Sequence, residues 1–145
     1  MCRQERADVS VVEDFNTPVV DEFRANGGKV GGMFEGQPIL LLHTTGAKTG
    51  RELVSPLGYY AKGARLLTMA SNGGADRQPS WYFNVTAHPD VSVEVGAETL
   101  PMRATVLTGD ERDRLYEEIT AALPGYANYQ QMTSRALPVI ALDPR

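Results

Sequence analysis

The stretch Thr44-Thr45-Gly46-Ala47-Lys48-Thr49-Gly50-Arg51 gathers a lysine, hydroxyl side chains and glycine-flanked amides into one short polar segment. A turn of this kind offers a cation and bare N–H donors together, which suits an isolated phosphate or carboxylate. It is not a nucleotide-binding P-loop, which needs an adjacent Gly-Lys pair and an earlier glycine. Further on, Ser71-Asn72-Gly73-Gly74 leads to Pro79-Ser80-Trp81-Tyr82-Phe83-Asn84. A Gly-rich loop running into a short aromatic helix suits a flat ring, because glycine admits close approach and aromatic faces stack. The two segments read as the halves of one cofactor site. Tyr126 and Tyr129 lie three apart on a predicted helix and share a face. Beside a redox ring, such hydroxyls would orient a substrate or donate a proton.

Each feature also has a plainer reading. The lysine turn reads as an ordinary β-turn, and Trp81 and Tyr82 read as core residues. His43 and His88 have no Glu or Cys partner at ligand spacing, so no metal site is expected. His43, on a predicted strand, reads as hydrogen-bonded structure. No nucleophile-elbow pattern supports a hydrolase.

The elements that must carry these residues follow from periodicity. Phe15, Val19, Val20 and Phe23 fall at helical spacing over 15–26, with Asn16 or Thr17 near the start and Asn26-Gly27-Gly28 as the stop. Ile39 to Leu42 is a continuous apolar run, predicted as a buried strand reaching Thr45. Gly46 to Gly50 is a hairpin connection, and 53–61 is a second strand bent at Pro56 and Gly58. Residues 65–71 form a third strand, and 79–87 a short helix with Pro79 in its first position. Val91, Val93 and Val95 alternate as a half-buried strand should, and 99–107 is the next strand. Residues 110–123 form an amphipathic helix capped by Thr108 or Asp110, 126–134 a second short helix, and 137–142 a final strand. About six strands in meander order with late helices predict an α+β fold, an antiparallel sheet or small barrel. No G-x-G-x-x-G or βαβ rhythm points to a dinucleotide fold.

The chain has 145 residues, 42% hydrophobic and 22% charged, with a net charge of −4. That length suits one domain with a real core, read here as residues 15–145 behind a mobile N-terminus over 1–14. The acidic balance argues against nucleic-acid partners. Even so, Arg24, Lys29, Lys48, Arg51, Lys62 and Arg65 make the stretch from 24 to 65 basic. No apolar run is long enough for a transmembrane segment, and the N-terminus is too charged for a signal peptide. The lone Cys2 fits a reducing compartment. A cytoplasmic protein is expected, with membrane-surface contact left open.

The order Leu42-His43-Thr44-Thr45-Gly46-Ala47-Lys48-Thr49-Gly50, Val54-Ser55-Pro56-Leu57, Ala70-Ser71-Asn72-Gly73-Gly74 and Pro79-Ser80-Trp81-Tyr82-Phe83-Asn84-Val85 resembles the deazaflavin-dependent nitroreductase family. His88-Pro89, Tyr126 to Gln130 and Leu137-Pro138-Val139 continue the likeness, which runs from about residue 22 to 142. The resemblance implies a split β-barrel, of the flavin-reductase or FMN-binding type, that binds coenzyme F420, an 8-hydroxy-5-deazaflavin with a phosphate-bearing oligoglutamate tail. It implies hydride transfer from reduced F420 to an electrophilic small molecule of quinone, nitro or enone type. Lys48 and Thr49 would hold the phosphate, and Val54 and Pro56 would line the tail or ring edge. Ala70, Ser71 and Asn72 would present amides to the ring, with Trp81, Tyr82 and Asn84 as its other wall. Tyr126 would close over the substrate face beside Tyr129, with Ser71 and Tyr126 hydrogen-bonding the acceptor. Arg24 and Lys29 are no part of the likeness; by their charge they would extend the cationic track toward the glutamates.

Nitroimidazole-reducing members carry a basic residue at the position of Ala47, a second arginine near Leu53, tyrosines at Gly58 and Leu123, and a lysine at Asn72. The departures here imply a reshaped acceptor pocket and favour a quinone or another conjugated acceptor. FMN on the same fold and a non-catalytic carrier of a cofactor or apolar ligand are the alternatives. A homodimer is expected by analogy with related folds.

Overall fold

A computed structural model describes residues 18–28, 38–71 and 75–145. Helix α1 covers 18–25. Then follow β1 (Ile39–Thr45), β2 (Glu52–Gly58), β3 (Tyr60–Lys62), β4 (Arg65–Met69), α2 (Ser80–Ala87), β5 (Asp90–Val95), β6 (Glu98–Leu107), α3 (Gly109–Ala122), α4 (Gly125–Gln131) and β7 (Val139–Pro144). The reading of residues 1–14 as mobile, and the Asn16 or Thr17 helix start, lie outside the described residues.

The strands form one antiparallel sheet in the order β2-β1-β5-β6-β7-β4-β3. This is not the expected meander. Three local hairpins, β1–β2, β3–β4 and β5–β6, are joined by long-range pairings of β1 with β5 and of β7 with both β6 and β4. Seven strands replace the expected six because the second one divides at Tyr59. The division explains the curl of the sheet. Its outermost strands, β2 and β3, are one chain segment interrupted by a single residue, so the two rims meet. Tyr59 N donates to Pro38 O at 3.2 Å, extending the β1–β2 ladder by one rung, and Thr68 Oγ1 of β4 donates to Gly58 O of β2 at 2.8 Å across the seam. The result is a split β-barrel with helices packed outside it.

Both faces of β1 are covered, which is why Ile39 to Leu42 is apolar without alternation. Leu40 and Leu42 point into the barrel, with Leu66, Ala70, Trp81, Val85, Val91, Val93, Met102, Ala104, Ile140 and Leu142. Ile39 and Leu41 point the other way, against Val20 and Phe23 of α1. On the far side of the sheet, Leu67, Met69, Val139 and Ala141 pack against Leu115 and Ile119 of α3. The valines of β5 face inward as their alternation predicts, leaving Ser92 and Glu94 outward.

Three element ends differ from expectation. Pro79 precedes the first turn of α2 with extended backbone (φ −69°, ψ 156°). Thr108 precedes α3, but its side chain makes no cap bond. Helix α4 stops at Gln131 because the Gln130 side chain captures the chain beyond it: Nε2 donates to Arg135 O at 2.7 Å, and Oε1 accepts from Leu137 N at 2.9 Å. Among the described residues, no helix is long and apolar enough to cross a membrane.

Candidate functional site

The turn between β1 and β2 is built by its own residues. Gly46 N donates to Arg51 O at 2.7 Å, and Gly50 N to Gly46 O at 2.9 Å. Gly50 takes φ +72°, a left-handed value that glycine accepts without strain. Thr49 folds back over Gly46, its Oγ1 accepting from Arg51 N at 3.2 Å. A Cβ on residue 46 would lie 2.6 Å from that oxygen, so any larger residue there would displace the Thr49 side chain from this fold-back. Lys48 is left exposed, with no ion pair among the described residues. The amides of Lys48 and Thr49 likewise have no acceptor among them. An unpaired ammonium beside two open N–H groups fits an anion such as a phosphate.

The Ala47 amide is not bare. It donates to Asn84 Oδ1 on α2 at 2.9 Å, while Asn84 Nδ2 donates to Thr44 Oγ1 at 3.2 Å. Only oxygen can accept from the amide, so the Asn84 carboxamide has a single orientation. Asn84 is 5% exposed, a buried polar side chain with its groups matched. Its bonds seat the cationic turn on the aromatic helix, so the two sequence segments do converge. Asn84 does this from the inside, as a strut.

Trp81 lies within the barrel core, 6% exposed, so its indole presents little surface to any ligand. The aromatic surface of α2 comes from Tyr82 and Phe83, which meet edge to face at 5.5 Å and 83°. Phe83 was not singled out in the sequence; its 52% exposure is visible only in the fold.

Strand pairing distributes the other candidates. Pro56 is opposite Leu41 and Val54 opposite His43, so Val54 and Pro56 sit on the α1 side of β2. Ser55 and Leu57 share the barrel-interior face with Leu42 and Leu40. The structure therefore does not bring Val54 and Pro56 to the face that holds Trp81 and Asn84. Ala70 is fully buried and its amide donates to Pro138 O at 3.1 Å, so that N–H is already used. Ser71 is half-buried at the end of this segment. Asn72 lies outside the described residues, as does Lys29.

Tyr126 and Tyr129 share one face of α4, with ring centroids 6.2 Å apart. The Tyr126 hydroxyl donates to Gly58 O at 3.0 Å, and Thr68 Oγ1 donates to the same carbonyl at 2.8 Å. Burial pushes the Tyr126 phenol above its ordinary value, so it stays neutral. A Cβ on residue 58 would lie 3.0 Å from the Tyr126 oxygen. The space beside Gly58 is thus occupied by Tyr126 and is not left open.

Arg24 does not extend a free cationic track. Its guanidinium grips Glu94 through two bonds of 3.2 and 2.6 Å. His43 bridges Glu94 and Glu52 at 2.6 and 3.1 Å, the hydrogen-bonded structural role that its strand position implied. The bond from Arg24 holds the Glu94 carboxyl below its usual 4.5, against the opposing effect of burial, and His43 acts in the same direction. A carboxyl with a lowered folded-state value stabilises fully above the ordinary value and loses that contribution as pH falls through the lowered one. Arg24→Ala is expected to cost less than about 1 kcal/mol of stability near neutrality, read as a slightly lower urea midpoint, since half its side chain is exposed. It should also flatten the acid limb of the midpoint-against-pH curve. An unchanged acid limb would refute this account of Glu94.

The comparisons with known proteins agree with one another. The sequence profile described as F420H(2)-dependent quinone reductase matches residues 17–144. A Mycobacterium tuberculosis (strain H37Rv) protein named F420H(2)-dependent quinone reductase is 39% identical over 127 residues, covering 85% of each chain. A solved F420-H2 dependent reductase superposes with a TM-score of 0.67 at 42% identity, covering 73% of this chain and 94% of that one. Another solved structure, described as a domain-swapped dimer, gives 0.69 at 35% identity over 94% of this chain and 99% of its own. With this fold, this turn and this degree of likeness, the chain belongs to the F420H(2)-dependent quinone reductase family.

Proposed function

We propose that the protein is an F420-dependent oxidoreductase that reduces an electrophilic small molecule, with a quinone as the acceptor class. The observation that carries this reading is the Asn84 strut, which joins the anion-fitted turn to the aromatic helix in one wall. The matched family and relatives support the choice of F420. When bound, F420 supplies the hydride, and the protein supplies orientation and exclusion of water.

The chain's own residues divide the work. Lys48 and the amides of Lys48 and Thr49 hold the phosphate; Asn84 sets their position. Tyr82 and Phe83 flank the ring from α2, with Trp81 as the rigid base beneath. Ser71 is the donor to the acceptor, because the Tyr126 proton is already given to Gly58 O. Tyr126 and Tyr129 shape the acceptor's pocket. Val54 and Pro56 meet the tail from the α1 side. A cytoplasmic homodimer, touching a membrane surface when the quinone is apolar, completes the reading; the dimeric relative supports it.

Titrating the purified protein with F420 tests the proposal. Saturable binding is expected, and Lys48→Ala should weaken it about tenfold, the loss of one charge-assisted bond. Unchanged affinity in that variant would remove Lys48 from the phosphate site. Binding without oxidation of reduced F420 by any quinone would point to a carrier instead.

A further inference from the structure

Arg135 lies in the connection between α4 and β7, far in sequence from the segment it holds. Its Nε donates to Ala75 O at 2.9 Å and its Nη1 to Gln78 Oε1 at 2.8 Å. Its Nη2 faces the carbonyls of Ala70, Ser71 and Arg77 at 3.2, 3.0 and 3.1 Å. The acceptors fall on both sides of residues 72–74, Ala70 and Ser71 before them and Ala75, Arg77 and Gln78 after. One guanidinium therefore ties together the two ends of the segment that leads from β4 to α2. The task needs arginine: a planar fork with five donors can serve several carbonyls in different directions, whereas an ammonium is a point donor.

The arginine is itself held from behind. Gln130 of α4 donates to Arg135 O at 2.7 Å, and Arg135 N donates to Thr133 Oγ1 at 3.3 Å. Thr133 donates in turn to Asp76 Oδ1 at 2.6 Å, a second link to the same segment. Gln130 shares its helix with Tyr126 and Tyr129. No described residue between 70 and 79 belongs to a helix or strand, so these side-chain bonds stand where backbone ladders would otherwise fix the chain.

We propose that Arg135 is a positioning residue for the reaction. It fixes the segment bearing Ser71 against the helix bearing Tyr126 and Tyr129, so that ring side and acceptor side form one rigid unit. The ligand in this proposal rests on the F420 reading above; the mechanical part does not. Arg135 touches neither reactant and acts through the carbonyls it holds.

The test uses the full chain with Arg135→Gln and Arg135→Lys, followed by hydrogen exchange and by F420 titration. In Arg135→Gln, amides in 70–71 and 75–78 should exchange roughly tenfold faster or more, with β1, β5 and β6 unchanged. F420 affinity should fall roughly tenfold. Arg135→Lys should recover only a minor part of both. Unchanged exchange in this segment, loosening spread evenly over the sheet, full rescue by lysine, or loosening with unaltered F420 affinity would each overturn the proposal. If Arg135→Gln does not fold, Thr133→Val, which removes two bonds, and Gln78→Ala, which removes one, are judged by the same local exchange and affinity. A wild-type protein that takes up no F420 would defeat the F420 reading, while the exchange measurement would still decide whether Arg135 is the staple.

Discussion

Asn84→Ala is expected to cost about 2–3 kcal/mol of stability, because it leaves the Ala47 amide and the Thr44 hydroxyl without their partner. Both were matched by one buried carboxamide, at 2.9 and 3.2 Å. The loss should appear as a lower urea midpoint with the slope unchanged. F420 binding should weaken in the same variant, since the turn carrying Lys48 is no longer seated on α2. Asn84→Asp separates the two effects. A carboxylate still accepts from the Ala47 amide, and the Thr44 hydroxyl can rotate to donate to it, so the cost that remains is that of burying a charge and should be relieved at acidic pH, where the carboxyl is neutral. It also places a negative charge beside the anion-fitted turn, and F420 affinity should fall. If Asn84→Asp binds F420 as tightly as the wild type, the phosphate does not sit at this turn.

The second large effect is at the seam of the barrel. Gly58→Val should destabilise the protein by about 2–4 kcal/mol, from overpacking together with loss of the Tyr126 bond. A Cβ alone would stand 3.0 Å from the Tyr126 oxygen, with Pro38 O at 3.8 Å on another side. Valine adds two methyl groups to that crowding, so Tyr126 must swing away. The cause can be isolated with the milder Gly58→Ala. Its cost should largely vanish in a Tyr126→Phe background, where the opposing oxygen is gone, giving a coupling of roughly 1 kcal/mol in a double-mutant cycle. Strict additivity would show that the crowding lies elsewhere. The quinone response of Gly58→Ala should also change relative to the wild type, because Tyr126 shapes that pocket in our reading.

Much of the fold could be read from local pattern. The unbroken run Ile39 to Leu42 announced a strand covered on both faces, and α1 and the barrel core cover it. The alternation of Val91, Val93 and Val95 gave the inward face of β5, and Pro56 with Gly58 marked the bend at which the second strand divides. The sheet order was not legible, since pairing such as Leu66 with Leu142 leaves no trace in neighbouring residues. For the site, the lysine turn and the aromatic helix were found by residue type, and their convergence is real. Which way each side chain points was not available. Asn84 turns inward to hold Ala47, Trp81 sinks into the core, and Phe83 is the ring that α2 exposes. Arg135 gave no signal at all, because carbonyl acceptors have no sequence signature.

The place of β7 in the sheet has a consequence for how the molecule assembles. Among the described strands it alone is laddered to both the ribbon β2-β1-β5-β6 and the hairpin β3-β4, which are otherwise tied by the chain at Tyr59 and the Thr68–Gly58 bond. Each of those pieces is stitched mainly by contacts close in sequence, yet neither covers its apolar side alone. The joining step must close loops of many tens of residues before it gains any burial, an arrangement that makes folding slow. Until β7 inserts, the chain is two greasy half-shells, and that interval is when it most needs protection from its neighbours.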